Sequence, residues 1–104
     1  MYGRLVEIEN LDASRRDEMM ATIREQVIPS MKEIGGFEGF ISLVDEQTGR
    51  ARNVVLWDTR ESADEFERQW ASRREEMVRG FGGTIRSAEL YEAPLVEVKV
   101  GAHA

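Results

Sequence analysis

The chain has 104 residues, 41% of them apolar, which is the length of one domain with enough apolar material for an ordinary core. It has no cysteine and one histidine, His103, which argues against thiolate metal sites, disulfides, thiol nucleophiles and a Ser-His-Asp triad. Twenty acids against 14 bases give a net charge of −6, which opposes general binding to nucleic acid or anionic membranes, both of which require phosphate-neutralising positive charge.

The start, Met1 to Glu7, lacks the apolar stretch of a secretory peptide, and no apolar run approaches the ~20 residues that cross a bilayer. The expectation is a single domain over residues 1–104, cytoplasmic, with neither a nucleic-acid nor a membrane partner. Residues 3–10 read as a first strand, with Leu5, Val6 and Ile8 interleaved with Glu7 and Glu9. Asp12 or Ser14 then offers a helix N-cap. Met20, Ile23, Val27, Met31 and Ile34 follow at steps of three and four, one face of an amphipathic helix. Pro29 falls inside that stripe and removes the amide bond to the Glu25 carbonyl, so a bend is predicted there, with the helix continuing to Gly35-Gly36.

Residues 37–45 and 52–58 read as a hairpin about a turn at 46–50. Ser62 and Glu65 have the spacing of a capping box opening a second helix. Its apolar face carries Ala63, Phe66, Trp70, Met77 and Phe81, and the glycines at 80, 82 and 83 end it. Arg73, Arg74 and Arg79 are read as a solvated face, since Glu75 and Glu76 offset their charge. Two extended segments follow, 84–93 and 95–100, split by Pro94, and residues 101–104, His103 among them, form a tail.

This order is β-α-β-β-α-β with an extra C-terminal strand, an α+β arrangement of the ferredoxin-like kind. Two helices cover one face of a four-stranded sheet. The hairpin is nonetheless apolar on both: Phe37, Gly39, Ile41 and Leu43 oppose Phe40 and Val44, and Val54 and Leu56 oppose Val55 and Trp57. An uncovered apolar face requires a partner. The expectation is a second copy of the chain, sheet against sheet.

Three stretches carry a family resemblance: Ile34-Gly35-Gly36-Phe37-Glu38-Gly39-Phe40, then Val54 to Asp58 leading through Glu61-Ser62 into a helix, then Glu89-Leu90-Tyr91-Glu92. In these and in element order the chain resembles the dimeric α+β barrel proteins of the antibiotic biosynthesis monooxygenase type. The resemblance implies a homodimer and a cavity between sheet and helices for a small hydrophobic or aromatic ligand. It also implies no metal or other cofactor. In the quinol oxygenases of this group an asparagine and a tryptophan four apart on a strand line the cavity, and Asn53 and Trp57 match them. They are therefore the candidate catalytic residues. Val55 would be the floor between them, with Phe66, Trp70, Ile23 and Tyr91 as further ligand contacts. The positions at which those enzymes carry tyrosines are Ser42 and Ala63 here, so only half of the tetrad is present. In the haem-degrading branch a helical tryptophan and the axial histidine fall on Phe66 and Glu76, and glutamate is a poor substitute for imidazole on iron. Two readings follow: a cofactor-free monooxygenase of a quinol or phenol, or a non-catalytic ligand-binding or stress-associated dimer of the same fold.

Overall fold

The structure, a computed structural model, describes residues 1–99. Its elements are β1 (Tyr2–Glu9), α1 (Arg16–Thr22), a wide turn of π-helix (Ile23–Val27), α2 (Ile28–Ile34), β2 (Phe37–Asp45), β3 (Arg50–Trp57), α3 (Arg60–Gly80) and β4 (Thr84–Glu92). The strands form one antiparallel sheet in the order β2-β3-β1-β4. This is the expected ferredoxin-like α+β fold, with both helical arms on one face.

Strand alternation decides what the helices cover. Arg4, Val6 and Ile8 of β1 point toward them, as do Ala51, Asn53, Val55 and Trp57 of β3, and the core forms there. Trp57 is 1% exposed, the most deeply buried large side chain. Phe37 meets it edge-on at 6.0 Å and Phe66 at 5.5 Å, and Phe66 stacks on Trp70 at 5.6 Å. Phe37 was expected on the opposite face with Gly39. A register shift between Phe37 and Gly39 turns it inward beside Phe40, which lets its ring reach Trp57.

The first helical arm follows a different period from the one read in the sequence. Met19, Ile23, Val27 and Met31 are its buried residues, in uniform steps of four, while Met20 is only half-buried. Steps of four drift around an ordinary α-helix, and the wide turn takes up the drift. Ile28 N–H donates to the Ile23 carbonyl, a bond of i to i+5 type. Pro29 opens α2 directly after it, where a missing amide costs little, and α2 continues to Ile34 as expected.

Helix α3 starts before the expected capping box. Thr59 is the N-cap, its hydroxyl accepting from Ser62 N–H at 3.1 Å. Of the two candidates before α1, Asp12 caps the 3-10 turn Ala13–Arg15 that leads into it, and α1 itself has no side-chain cap: Asp12 Oδ1 accepts from Ser14 N–H at 3.0 Å and from the Ser14 hydroxyl at 2.6 Å. Gly36 joins the two helical arms below Trp57. It has φ +77°, its carbonyl accepts from Asp58 N–H, and a Cβ there would lie 2.2 Å from Asp58 Oδ1.

The outer sheet face carries Leu5, Val54, Leu56, Ile41, Leu43 and Tyr91, with Leu43 57% and Tyr91 51% exposed. The extra strand expected over 95–100 is not formed in the single chain: residues 95–99 pair with no strand, and residue 100 and the tail at 101–104 lie outside the described residues. Among the described residues no helix is long and apolar enough to cross a membrane.

Candidate functional site

Between the helices and the sheet lies an enclosed, mainly apolar cavity of about 40 Å³. That is space for about three waters, well below the roughly 300–1,000 Å³ of pockets that enclose drug-sized ligands. Six of the seven residues singled out from the sequence line it: Asn53, Trp57, Val55, Phe66, Trp70 and Ile23. Strand alternation brings the three β3 residues to one face, and the steps of α3 bring Phe66 and Trp70 over them.

Tyr91 is not among them. Its register opposite Gly3 places it on the outer face, where Glu89 Oε1 accepts from its hydroxyl at 3.4 Å. The nearby Glu89 charge, with some desolvation and Glu7 adding to it, holds the Tyr91 phenol above its usual value. A phenol so placed is unable to act in the cavity of its own subunit.

Asn53 is held from the side. Ser42 Oγ donates to its Oδ1 at 2.7 Å, so the amide nitrogen is the donor left for a ligand. Ser42 also forms part of a surface groove with Met20, Arg16 and Arg24, so this hydrogen bond stands between the groove and the cavity. Ala63, the other position at which a tyrosine was expected, is fully buried in the cavity wall.

Two charged lining residues escaped the sequence reading. Arg4 projects from β1 and Arg74 from α3, and Glu67 of α3 binds both. Arg74 forks onto Glu67 at 2.7 and 3.0 Å, and Arg4 lies 3.6 Å from Glu67 and from Asp64. Arg4 Nη1 donates to the Ala88 carbonyl at 3.3 Å. The expected solvated arginine face is thus only part of the picture. Arg73 lies over the Trp70 ring and Arg79 pairs with Glu75, but Arg74 turns inward. The signal was present in the spacing: Arg74 falls four residues after Trp70 and four before Val78, on the buried stripe. Arg4 likewise shares a strand face with Val6 and Ile8.

Solved structures share this fold. HapK from Hahella chejuensis superposes with a TM-score of 0.70 at 12% identity, over 97% of this chain and all of that one. A monooxygenase from the gene ActVA-Orf6 of Streptomyces coelicolor, solved with nanaomycin D, gives 0.66 at 12% identity over 94% of this chain and 90% of that one. The chain has the ferredoxin-like fold of the antibiotic biosynthesis monooxygenase type. The haem-degrader MhuD of Mycobacterium tuberculosis, solved with two haems bound, shares the fold with a TM-score of 0.66 at 19% identity, over 94% of this chain and all of that one. Here Glu76 is exposed on α3 and Phe66 is packed on Trp57. No family model matches the sequence. Uncharacterized protein Rv2558 of M. tuberculosis is 33% identical over 89 residues, 86% of this chain, which spans only 37% of that relative.

Proposed function

We propose that this domain forms a homodimer through its outer sheet face and binds a small phenol or quinol in the cavity of each subunit, oxygenating it without a cofactor. The observation that carries the reading is the convergence of Asn53, Val55 and Trp57 on one enclosed cavity, with the Asn53 amide fixed by Ser42. The electron-rich aromatic ring is itself the reductant and gives up four electrons to O₂. A ring C–H and a phenolic O–H are lost, one oxygen atom stays on that ring carbon of the resulting quinone, and the other leaves as water with the two hydrogens. The Asn53 amide nitrogen donates to the ring oxyanion, and Trp57 and Phe66 hold the ring plane. The nanaomycin D complex of the Streptomyces protein favours a quinone-type ligand. The exposed Ile41, Leu43 and Tyr91 favour assembly, as does the dimeric ferredoxin-like protein from an uncultured marine organism, which superposes with a TM-score of 0.66.

A second reading, binding without turnover, is favoured by the lining itself. Its polar members are Asn53, Arg4 and Arg74, and none accepts a proton near neutral pH. Oxygen uptake separates the two. A panel of phenols and tricyclic quinols is incubated with the protein, with no metal or flavin added. Consumption of one O₂ per substrate, lost in Asn53→Ala, supports oxygenation. Quenching of tryptophan fluorescence with no oxygen uptake supports the binding reading. The absence of both overturns the cavity assignment.

A further inference from the structure

The arginine pole of the cavity has an unmet need. Arg74 Nε is buried and has no hydrogen-bond partner, although the two terminal nitrogens are held by Glu67. An unsatisfied buried donor is costly, more so on a charged group. Arg4 and Arg74, with side chains 12% and 15% exposed, are matched in number by two carboxylates, Glu67 and the more exposed Asp64. What the pole lacks is an acceptor for the vacant Arg74 donor.

Arg74 also occupies a boundary. It lines the 40 Å³ cavity, and it lines a surface groove of about 400 Å³ formed with Glu67, Ala71, Glu75, Arg79 and the start of β4. At 40 Å³ the cavity takes an aromatic ring only when a lining side chain moves aside, whereas cavity and groove together reach the size of an ordinary ligand pocket. Arg74 is the one lining residue the two spaces share, and Glu67 holds its guanidinium.

We propose that Arg74 is both the door of this cavity and its anion contact, and that the ligand class admitted is an aromatic anion. The ligand enters between α3 and β4, and its carboxylate or phenolate oxygen takes Arg74 from Glu67. Arg74 Nε then gains the acceptor it lacks, the ring passes inward against Trp70 and Phe66, and Glu67 remains with Arg4. Exchange of one carboxylate for another on a planar guanidinium preserves the fork geometry, so opening exposes no unpaired charge. The inference rests on the cavity-binding reading and adds to it the charge of the ligand and its route of entry.

Benzoate and benzyl alcohol, matched in size and different in charge, test it by titration against the fluorescence of Trp57 and Trp70. Wild-type protein is expected to bind benzoate at least tenfold more tightly. Glu67→Gln weakens the competitor for Arg74, so benzoate should bind several-fold more tightly than to wild type while benzyl alcohol is unchanged. Arg74→Met should abolish the preference for benzoate. Arg79→Met, in the groove but paired with Glu75 outside the cavity, should retain it. Equal binding of the two probes by wild type overturns the anion inference and leaves the cavity reading standing. A preference that survives Arg74→Met, or benzoate affinity that falls in Glu67→Gln, overturns the door. Binding of neither probe overturns both readings. If Arg74→Met fails to fold, the Glu67→Gln arm decides alone.

Discussion

Replacing Asn53 by alanine is the perturbation that best separates an orienting side chain from a packing one. Its structural cost follows from a single hydrogen bond, 2.7 Å from Ser42 Oγ to Asn53 Oδ1. Such a bond contributes a net ~0.5–1.5 kcal/mol. Ser42 borders an open groove, so its hydroxyl regains water when Asn53 is gone and no buried polar group is stranded. Asn53→Ala should therefore cost about 1 kcal/mol, a fall in Tm of roughly 4–8 °C for a domain of this size. Ser42→Ala should cost the same, and the double variant no more than either, since all three lose the same bond. The effect on chemistry is much larger: removing a donor to a developing oxyanion lowers turnover by about 10²–10³. Urea melts of the four proteins and oxygen uptake with the best substrate of the panel measure the two effects. A stability loss above about 3 kcal/mol in Asn53→Ala, or fully additive single losses, refutes the reasoning. So does undiminished turnover.

The other predictions concern the frame around the site. Trp57→Ala should cost ~3–5 kcal/mol in a urea melt and abolish phenol binding, because the indole is fully buried and packs on Phe37 and Phe66; a loss below about 1 kcal/mol would contradict that packing. Gly36→Ala should destabilise more than Gly35→Ala. Both positions have positive φ, but a Cβ at Gly36 strikes Asp58 and Ser62 whereas one at Gly35 meets nothing within 4 Å; equal losses would refute the contact. Pro29→Ala should change stability by less than about 1 kcal/mol, since the wide turn already accommodates the missing amide; a gain above about 2 kcal/mol would show that the proline strains the arm. Leu43→Glu should convert a dimer in sedimentation to a monomer with the same far-ultraviolet circular dichroism, and a wild-type chain that sediments as a monomer would remove the assembly proposal.

Element order was legible because each element shows its own period: alternation in β1 and β3, and steps of three and four in the helical arms. The departures have local physical causes. Ser62 with Glu65 and Thr59 with Ser62 are equally good N-cap spacings, and only the path of the chain after Trp57 selects Thr59. The register shift at Phe37 leaves no mark in a run as uniformly apolar as β2. Residues 95–99 have the alternation of a strand, but a strand forms only against another edge, and they pair with neither edge strand of the sheet, β2 or β4. Leu95 is 83% exposed as a result.

The candidate site was legible on its apolar side and hidden on its charged side. Asn53, Val55 and Trp57 share a face by alternation alone, and Phe66 and Trp70 follow from helical spacing. Tyr91 was ambiguous because nothing in the sequence orients β4, and its pairing with Gly3 turns it outward. Arg4 and Arg74 were passed over because a charged residue in an apolar stripe is usually a long side chain reaching back to solvent. Here a shared carboxylate at Glu67 keeps both beside the cavity.

The proposed ligand site is the space bounded by Asn53 and Trp57. The most direct test is a phenol titration of isotope-labelled protein, followed through the two tryptophan indole N–H resonances, the Asn53 side-chain amide and the backbone amides of both sheet faces. Saturable shifts of the Trp57, Trp70 and Asn53 side-chain signals are expected, with the amides of Leu5, Ile41 and Leu43 unmoved. Shifts confined to the outer-face amides, with both indoles silent, would contradict it.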